Sequence, residues 1–115
     1  MPVPKRPSRQ TMAVRGSRSG RPIMALLDLL GRRWTLRLLW ELREGRKLTS
    51  RELRTACDEA SPTVLQARLS ELREAGFLDL AAEGGYSLTP LGRELCDTFM
   101  PLHRFAEKWR NAKAN

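Results

Sequence analysis

The segment from Ser61 to Gly76 constrains the fold of this chain more than any other, because both of its ends carry helix signals. Ser61 can cap a helix through its hydroxyl group, and Pro62 suits the first helical position, where its missing N–H would have no partner. Gly76 can adopt the left-handed conformation that ends a helix. The sequence therefore predicts a single helix over residues 61–75.

The two faces of this predicted helix differ in composition. One face carries apolar residues at helical spacing, namely Val64, Leu65, Leu69 and Leu72. The opposite face carries small or hydrogen-bonding residues, namely Thr63, Gln66, Ala67 and Ser70. Such side chains can enter the major groove of DNA and contact base edges. Taken alone, the segment is better interpreted as an ordinary amphipathic helix, and only its neighbours favour the DNA-binding interpretation.

Length and charge limit the class of protein. A chain of 115 residues allows one small domain with a modest core, which a second copy of the chain can complete. The net charge of +8 and the pI of about 10.7 indicate a polyanionic partner, either nucleic acid or an acidic membrane surface. Residues 1–21 contain six basic residues and no acidic one, so they carry +6 of this charge.

Residues 1–20 are rich in proline, serine, glycine and arginine. They offer little apolar surface to offset the entropy of ordering, so we expect a disordered basic arm. Two interpretations stay open: the arm is a solubilising leader, or it lies along the DNA backbone or in the minor groove. The remainder, residues 21–115, is expected to form the folded domain.

Several other classes of protein are not expected. Cys57 and Cys96 are too few for a disulfide scaffold and indicate free thiols in a reducing compartment. His103 is the only histidine, so a metal cluster or a histidine-based catalytic set cannot be assembled. The sequence shows neither a signal-peptide pattern nor an apolar run of membrane-spanning length. We expect a cytoplasmic protein without membrane association that is not an enzyme and binds no cofactor.

Three helices are predicted before residue 61. The first begins at Pro22 and ends at Gly31, and the second covers residues 34–43. The second is apolar on two sides, so it should be the most buried. The third opens with a capping box, in which Thr49 and Glu52 each satisfy the backbone N–H of the other.

The order of the elements predicts a winged helix-turn-helix. A short helix, a tight connection and the 61–75 helix form the helix-turn-helix. Residues 77–80 and 86–88 are predicted strands joined by a turn, which gives a short two-stranded wing. A long last helix begins at Pro90 and continues to about residue 113. The expected fold class is therefore α+β, mainly α, with a long C-terminal helix.

Three segments stand in a specific order: residues 29–36 (LLGRRWTL), residues 61–69 (SPTVLQARL), and residues 76–78 (GFL) through residues 86–92 (YSLTPLG). With these segments the chain resembles the HxlR-type branch of bacterial winged-helix transcription regulators, which is related to the MarR group. The resemblance covers roughly residues 21–110. It implies a homodimer that binds a palindromic operator in double-stranded DNA, a repressor being the expected type, with the terminal helices at the interface.

Two features depart from the family pattern. Redox-sensing members carry a cysteine immediately before the proline of the first helix, whereas Arg21 precedes Pro22 here. We therefore expect no redox sensing by that route. The predicted wing holds Asp79 and Glu83 and no basic residue, so its minor-groove contact should be weak, and the basic arm is a candidate for that role.

Candidate DNA contacts fall into two groups. Gln66 has the most specific chemistry, because its amide can pair with both N6 and N7 of adenine. The basic residues are candidates for phosphate contacts, although local pairs with glutamates are an open alternative, and we expect about half of them to touch DNA. Arg68 lies near the apolar edge of its helix, where it can instead brace the domain. The full candidate set is Arg46, Lys47, Arg51, Ser61, Pro62, Thr63, Gln66, Ala67, Arg68, Ser70 and Arg73.

The last helix carries an apolar stripe that we expect at the dimer interface; packing onto its own domain is the alternative. The expected interface residues are Leu27, Leu95, Phe99, Leu102, Ala106 and Trp109. Cys57 is expected in the core, whereas Cys96 lies beside the stripe, where it is either idle or close to the interface.

A small-molecule inducer between the first and last helices stays open. Two other functions are also open: a protein-interaction module, or a non-specific binder of RNA, DNA or acidic lipid through the arm.

Overall fold

The computed structural model describes residues 20–58 and 60–114 of the chain. Except for Gly20, the predicted basic arm lies outside the described residues. The described elements, in chain order, are helix α1 (Pro22–Leu30), helix α2 (Thr35–Glu41), strand β1 (Leu48–Thr49), helix α3 (Ser50–Ala56), helix α4 (Pro62–Glu74), strand β2 (Leu78–Leu80), strand β3 (Gly85–Leu88) and helix α5 (Pro90–Ala114). The predicted mainly helical winged fold is confirmed.

Helix α4 has the ends that its sequence predicts. The Ser61 side chain accepts a hydrogen bond from the Val64 backbone N–H at 3.3 Å, and Pro62 is the first helical residue. Gly76 follows the helix with a φ of +91°, the left-handed conformation that favours glycine. Leu65, Leu69 and Leu72 are buried. These three side chains fix the helix to the core and determine which face remains exposed.

Helix α3 begins with the predicted capping box. The Glu52 backbone N–H donates to the Thr49 hydroxyl at 3.1 Å, and the Thr49 backbone N–H donates to the Glu52 carboxylate at 2.8 Å. Both pairings satisfy backbone donors that the first helical turn leaves without partners. Helices α3 and α4 pack against each other and form the predicted helix-turn-helix.

One side of helix α2 packs into the core, and the other side is exposed or half-buried. Leu38, Leu39 and Leu42 are fully buried, whereas Leu36 is exposed and Trp40 is half-buried. The second apolar side of this helix therefore does not face the core of its own domain, which corrects part of the prediction. The helix starts at Thr35 because Trp34 has a left-handed φ of 77° and cannot continue a right-handed helix.

The sheet has one more strand than predicted. Strands β2 and β3 form the expected antiparallel hairpin, with Leu78 opposite Leu88 and Leu80 opposite Tyr86. Strand β1 pairs with the other side of β3, with Leu48 opposite Tyr86. The sheet order is thus β1-β3-β2. A strand of two residues is too short to show an alternating pattern, so the sequence alone does not predict it.

Helix α5 belongs to the domain at its start and leaves it later. The Thr89 hydroxyl accepts from the Gly92 backbone N–H at 2.9 Å and donates to the Gly76 carbonyl at 2.7 Å. Leu95 and Cys96 are buried in the core of the same chain. From residue 101 to residue 114 every residue is exposed. The second half of the helix therefore extends beyond the domain body.

This placement corrects the expectation for Leu95 and bears on the two alternatives for Cys96. Leu95 is expected at a dimer interface, but its burial within its own domain leaves little surface for a partner. Cys96 is buried and its Sγ lies 3.8 Å from the Leu39 carbonyl oxygen, which favours the idle thiol over a position close to the interface. Both residues precede the point at which helix α5 leaves the core. Cys57 is fully buried, which confirms the prediction that it is a core residue.

Candidate DNA-binding surface

The outer face of helix α4 is open to solvent. Seven of the candidate residues are exposed on this helix and its cap: Ser61, Pro62, Thr63, Gln66, Ala67, Ser70 and Arg73. Between Ser61 and Arg73 the helix has one carboxylate, Glu71, which is half-buried and paired with arginines. Up to Arg73 the exposed face therefore presents small polar groups and a positive charge, and the exposed carboxylate of the helix is Glu74 at its last residue.

Gln66 is exposed but not free. Its side-chain Nε2 donates a hydrogen bond to the hydroxyl oxygen of Tyr86 at 3.2 Å. Tyr86 lies in the middle strand of the sheet and is only 4% exposed. Sequence reasoning missed this contact, because twenty residues separate the two positions and no local pattern connects them. This hydrogen bond links the outer face of α4 to the sheet through Gln66, the side chain with the most specific base-pairing chemistry.

Arg68 braces the domain instead of facing the exposed surface. Its guanidinium lies 2.8 Å from both carboxylate oxygens of Glu71, and its Nε donates to the Arg33 carbonyl at 3.1 Å. Arg32 adds a bond to the Glu71 carboxylate at 3.2 Å and one to Asp28 at 3.1 Å. This partly buried network ties α4 to the loop between α1 and α2. The bracing alternative for Arg68 is therefore the one that its contacts favour.

Arg46 and Lys47 each have a carboxylate partner. Arg46 lies 3.4 Å from Glu41, and Lys47 lies 3.1 Å from Glu83 at the tip of the hairpin. The Glu83 carboxylate accepts hydrogen bonds from its own backbone N–H and from Lys47, and these lower its pKa. Lys47 and Glu83 are both exposed, and Glu41 keeps Arg37 as a second partner at 2.8 Å, so a DNA phosphate can replace either carboxylate at little cost.

Lys47 also changes the character of the wing. The wing predicted from the sequence is acidic, but β1 places the Lys47 ammonium against Glu83, and the aliphatic part of its side chain lies over Gly85. A Cβ atom at Gly85 would come within 2.6 Å of the Lys47 Cγ, so glycine leaves room for this packing. The tip of the wing is therefore charge-balanced.

Arg51 and Arg73 are exposed and, within residues 20–58 and 60–114, make no ion pair. The same holds for Arg54, which is not among the candidates from the sequence although it follows Arg51 by one helical turn. A guanidinium group without a protein partner can donate two parallel hydrogen bonds to the oxygens of one phosphate. Arg51, Arg54 and Arg73 are therefore exposed arginines of the helix-turn-helix that are available for such a contact.

A second exposed surface is apolar. Helices α1, α2 and α5 border an open groove with a volume of about 500 Å³. Within it the Trp40 ring lies 4.8 Å from the His103 ring, and the Arg43 guanidinium lies 3.6 Å from the Trp40 ring centre. The groove contains four of the six expected interface residues, namely Leu27, Phe99, Leu102 and Ala106. Trp109 lies beyond it on α5 and is 58% exposed.

The described residues offer no other candidate chemistry. No group of three or more histidine, cysteine, aspartate or glutamate side chains in residues 20–58 and 60–114 could hold a metal ion. Among the same residues, no helix has both the length and the apolar composition needed to cross a bilayer. Burial raises the pKa of both thiols, Cys57 and Cys96, which disfavours the reactive thiolate.

Comparison with known proteins identifies the family. The model of the HxlR-like helix-turn-helix family matches residues 29–114. An uncharacterised HTH-type transcriptional regulator of Synechocystis sp. is 30% identical over 94 residues, which cover 76% of this chain and 69% of that protein. The segment matched by the family model includes every element from the end of α1 onward.

Solved structures agree with this result. Quinone-bound YodB from B. subtilis superposes with a TM-score of 0.70 at 26% identity, covering 76% of this chain and 98% of the other. A putative regulator of the MarR family from Enterococcus faecalis superposes with a TM-score of 0.68 at 25% identity, covering 99% of this chain and 96% of the other. Together with the family match, they agree with the expectation that the chain is not an enzyme. The chain belongs to the HxlR-like helix-turn-helix family of transcriptional regulators.

Proposed function

We propose that this regulator is a homodimeric repressor that recognises a palindromic operator through helix α4. The observation that carries the proposal is the outer face of that helix, which is exposed, hydrogen-bonding and free of unpaired carboxylates between Ser61 and Arg73. A face of this composition is suited to the major groove, where each base pair presents a distinct pattern of donors and acceptors.

The two kinds of contact are divided between different residues. Thr63, Gln66 and Ser70 contact base edges, and Pro62 and Ala67 offer apolar contact to thymine methyl groups. The phosphate contacts come from Arg51, Arg54 and Arg73, with Arg46 and Lys47 exchanging their carboxylate partners for phosphates. In this proposal Arg68 contributes indirectly, by holding α4 in place.

The dimer forms through the apolar groove and the second half of α5. Leu102 is 63% exposed, and Phe105 and Trp109 are exposed on the same helix beyond the domain body. A single chain leaves these large apolar side chains in water. A second copy related by a two-fold axis would cover the exposed apolar side chains of both chains at once. Two copies also place two α4 helices on one duplex, as a palindromic operator requires.

The test is binding to duplexes from the region upstream of the protein's own gene and its neighbours, in the presence of excess unrelated DNA. We expect a complex on one such duplex that survives the competitor. Loss of every complex under competition would favour a non-specific binder, and absence of binding at any salt concentration would favour a protein-interaction module. Thr98→Ala, which removes a hydroxyl far along the chain from α4, is the control and should bind like the wild type.

A further inference from the structure

We propose that Tyr86 is a positioning residue that sets the base preference of Gln66. This inference rests on the proposed function, because it concerns how helix α4 recognises DNA. Its starting point is the hydrogen bond of 3.2 Å from the Gln66 side-chain amide to the Tyr86 hydroxyl. The bond joins an exposed side chain of α4 to a nearly fully buried residue of the sheet.

Tyr86 is well suited to hold another side chain still. It lies in β3, the middle strand, opposite Leu48 on one side and Leu80 on the other. Its ring is part of the hydrophobic core, and its hydroxyl group contacts the Gln66 side chain of α4. A hydroxyl on a packed ring has far less freedom than one on an exposed side chain. The bond therefore fixes the Gln66 amide relative to the domain.

The direction of the bond determines what the amide can present to DNA. A glutamine amide has two N–H donors and one carbonyl acceptor. When Tyr86 holds the N–H that points away from Oε1, the other N–H and the Oε1 atom remain available side by side. Adenine requires this pair, since its N7 accepts a hydrogen bond and its N6 amino group donates one.

Without the Tyr86 hydroxyl the amide can rotate and exchange the positions of Oε1 and Nε2. A freely rotating amide can also turn its N–H groups toward guanine, whose N7 and O6 are both acceptors. A free glutamine side chain must in addition lose rotamer freedom when it binds. Tyr86 thus acts on both affinity and specificity without contacting the DNA.

The test is a selection from a library of random duplexes, followed by affinity measurements with each of the four base pairs at every position of the selected site. The position that loses its base preference in Gln66→Ala is the one that Gln66 contacts. Tyr86→Phe should lose preference at that same position and bind the selected site about 3–10-fold more weakly, as expected when one hydrogen bond is removed. Binding to random DNA should not change.

A structural defect would give a different pattern. Tyr86→Phe keeps the ring, so a general loss of packing would weaken binding to all sequences and lower the unfolding midpoint. In the Gln66→Ala background, Tyr86→Phe should have no further effect on binding, because its influence passes through Gln66. Thr98→Ala is the matched control, since it also removes one hydroxyl group.

Retention of full base preference by Tyr86→Phe, or additive effects of the two substitutions, would overturn the role of Tyr86 while leaving the proposed function intact. A wild-type chain that selects no sequence from the library would overturn the proposed function itself, and the specificity role of Tyr86 with it.

Discussion

At the scale of single residues, the same side-chain type has different roles according to its partners. Arg68 and Arg73 lie five residues apart on α4, yet Arg68 is bound to Glu71 and to the Arg33 carbonyl, whereas Arg73 is exposed. Charge-assisted hydrogen bonds of partly buried groups stabilise a fold, and a solvated guanidinium mainly contributes to binding.

Substitution of Arg68 should therefore affect stability, whereas substitution of Arg73 should affect DNA binding. Arg68→Ala should lower the free energy of unfolding by about 1.5–3 kcal/mol, since it removes hydrogen bonds between charged groups. Arg73→Ala should leave stability unchanged but flatten the log–log salt dependence of DNA binding by about 0.9 for each phosphate that it no longer neutralises. Urea denaturation and salt titration measure the two effects. If Arg68→Ala were as stable as the wild type, the bracing role would be wrong.

The buried thiols give a second prediction. Because burial raises the pKa of Cys57 and Cys96, the thiols stay protonated at neutral pH and react slowly. Because the pKa of each thiol is higher in the folded than in the unfolded state, the protonated thiols contribute to stability. This contribution is fully present below the unfolded-state pKa and is lost as the pH rises through the folded-state pKa. A thiol reagent should modify both residues slowly in the native protein and rapidly in denaturant, and stability should fall at alkaline pH.

DNA binding should correspondingly survive mild peroxide treatment. Release of DNA by peroxide that Cys96→Ala or Cys57→Ala abolishes would reveal a redox switch incompatible with this account.

At the scale of elements, local signals determine how much of the fold the sequence can predict. The ends of α4 and the capping box of α3 depend on residues within a few positions of each other, and these predictions are confirmed. Strand β1 depends on pairing with β3, far along the chain, and the Gln66–Tyr86 and Lys47–Glu83 contacts likewise join distant segments. A single sequence contains no periodic signal for such contacts, so sequence reasoning misses them.

The capping box predicts that substitutions of two threonines in the same region have different effects on the free energy of unfolding. Thr49→Ala should lower the free energy of unfolding by about 1 kcal/mol, because it removes the acceptor for the Glu52 backbone N–H. Thr55→Ala is the control: its hydroxyl only donates back to the Arg51 carbonyl within the helix. Urea denaturation should show the loss for Thr49→Ala alone. Equal effects of the two substitutions would mean that the cap contributes nothing specific.

At the scale of the whole molecule, one chain does not cover its own apolar surface. The predicted stripe on α5 divides into a buried part that ends near Cys96 and an exposed part that includes Leu102 and Trp109. The sequence predicts the stripe but not where it divides, because that point depends on how far the core of the domain extends. We propose a second copy as the partner of the exposed part.

Leu102→Asp should therefore give monomers, since a charge would replace apolar area that the dimer buries. DNA affinity should fall as well, because the two half-sites are no longer held together. Asn111→Asp places the same charge elsewhere on α5, away from the stripe, and should remain dimeric. Sedimentation velocity distinguishes the two. A Leu102→Asp protein that stays dimeric would exclude this part of α5 from the interface.

If the outer face of α4 recognises specific bases, Gln66→Ala should change the affinity of the protein for two DNAs by different factors. One duplex carries the selected site and the other has random sequence, both at the same salt concentration. We expect binding to the selected site to weaken by about 1–3 kcal/mol while binding to random DNA is nearly unchanged. Equal losses on both duplexes, or no loss on either, would contradict base recognition by this face.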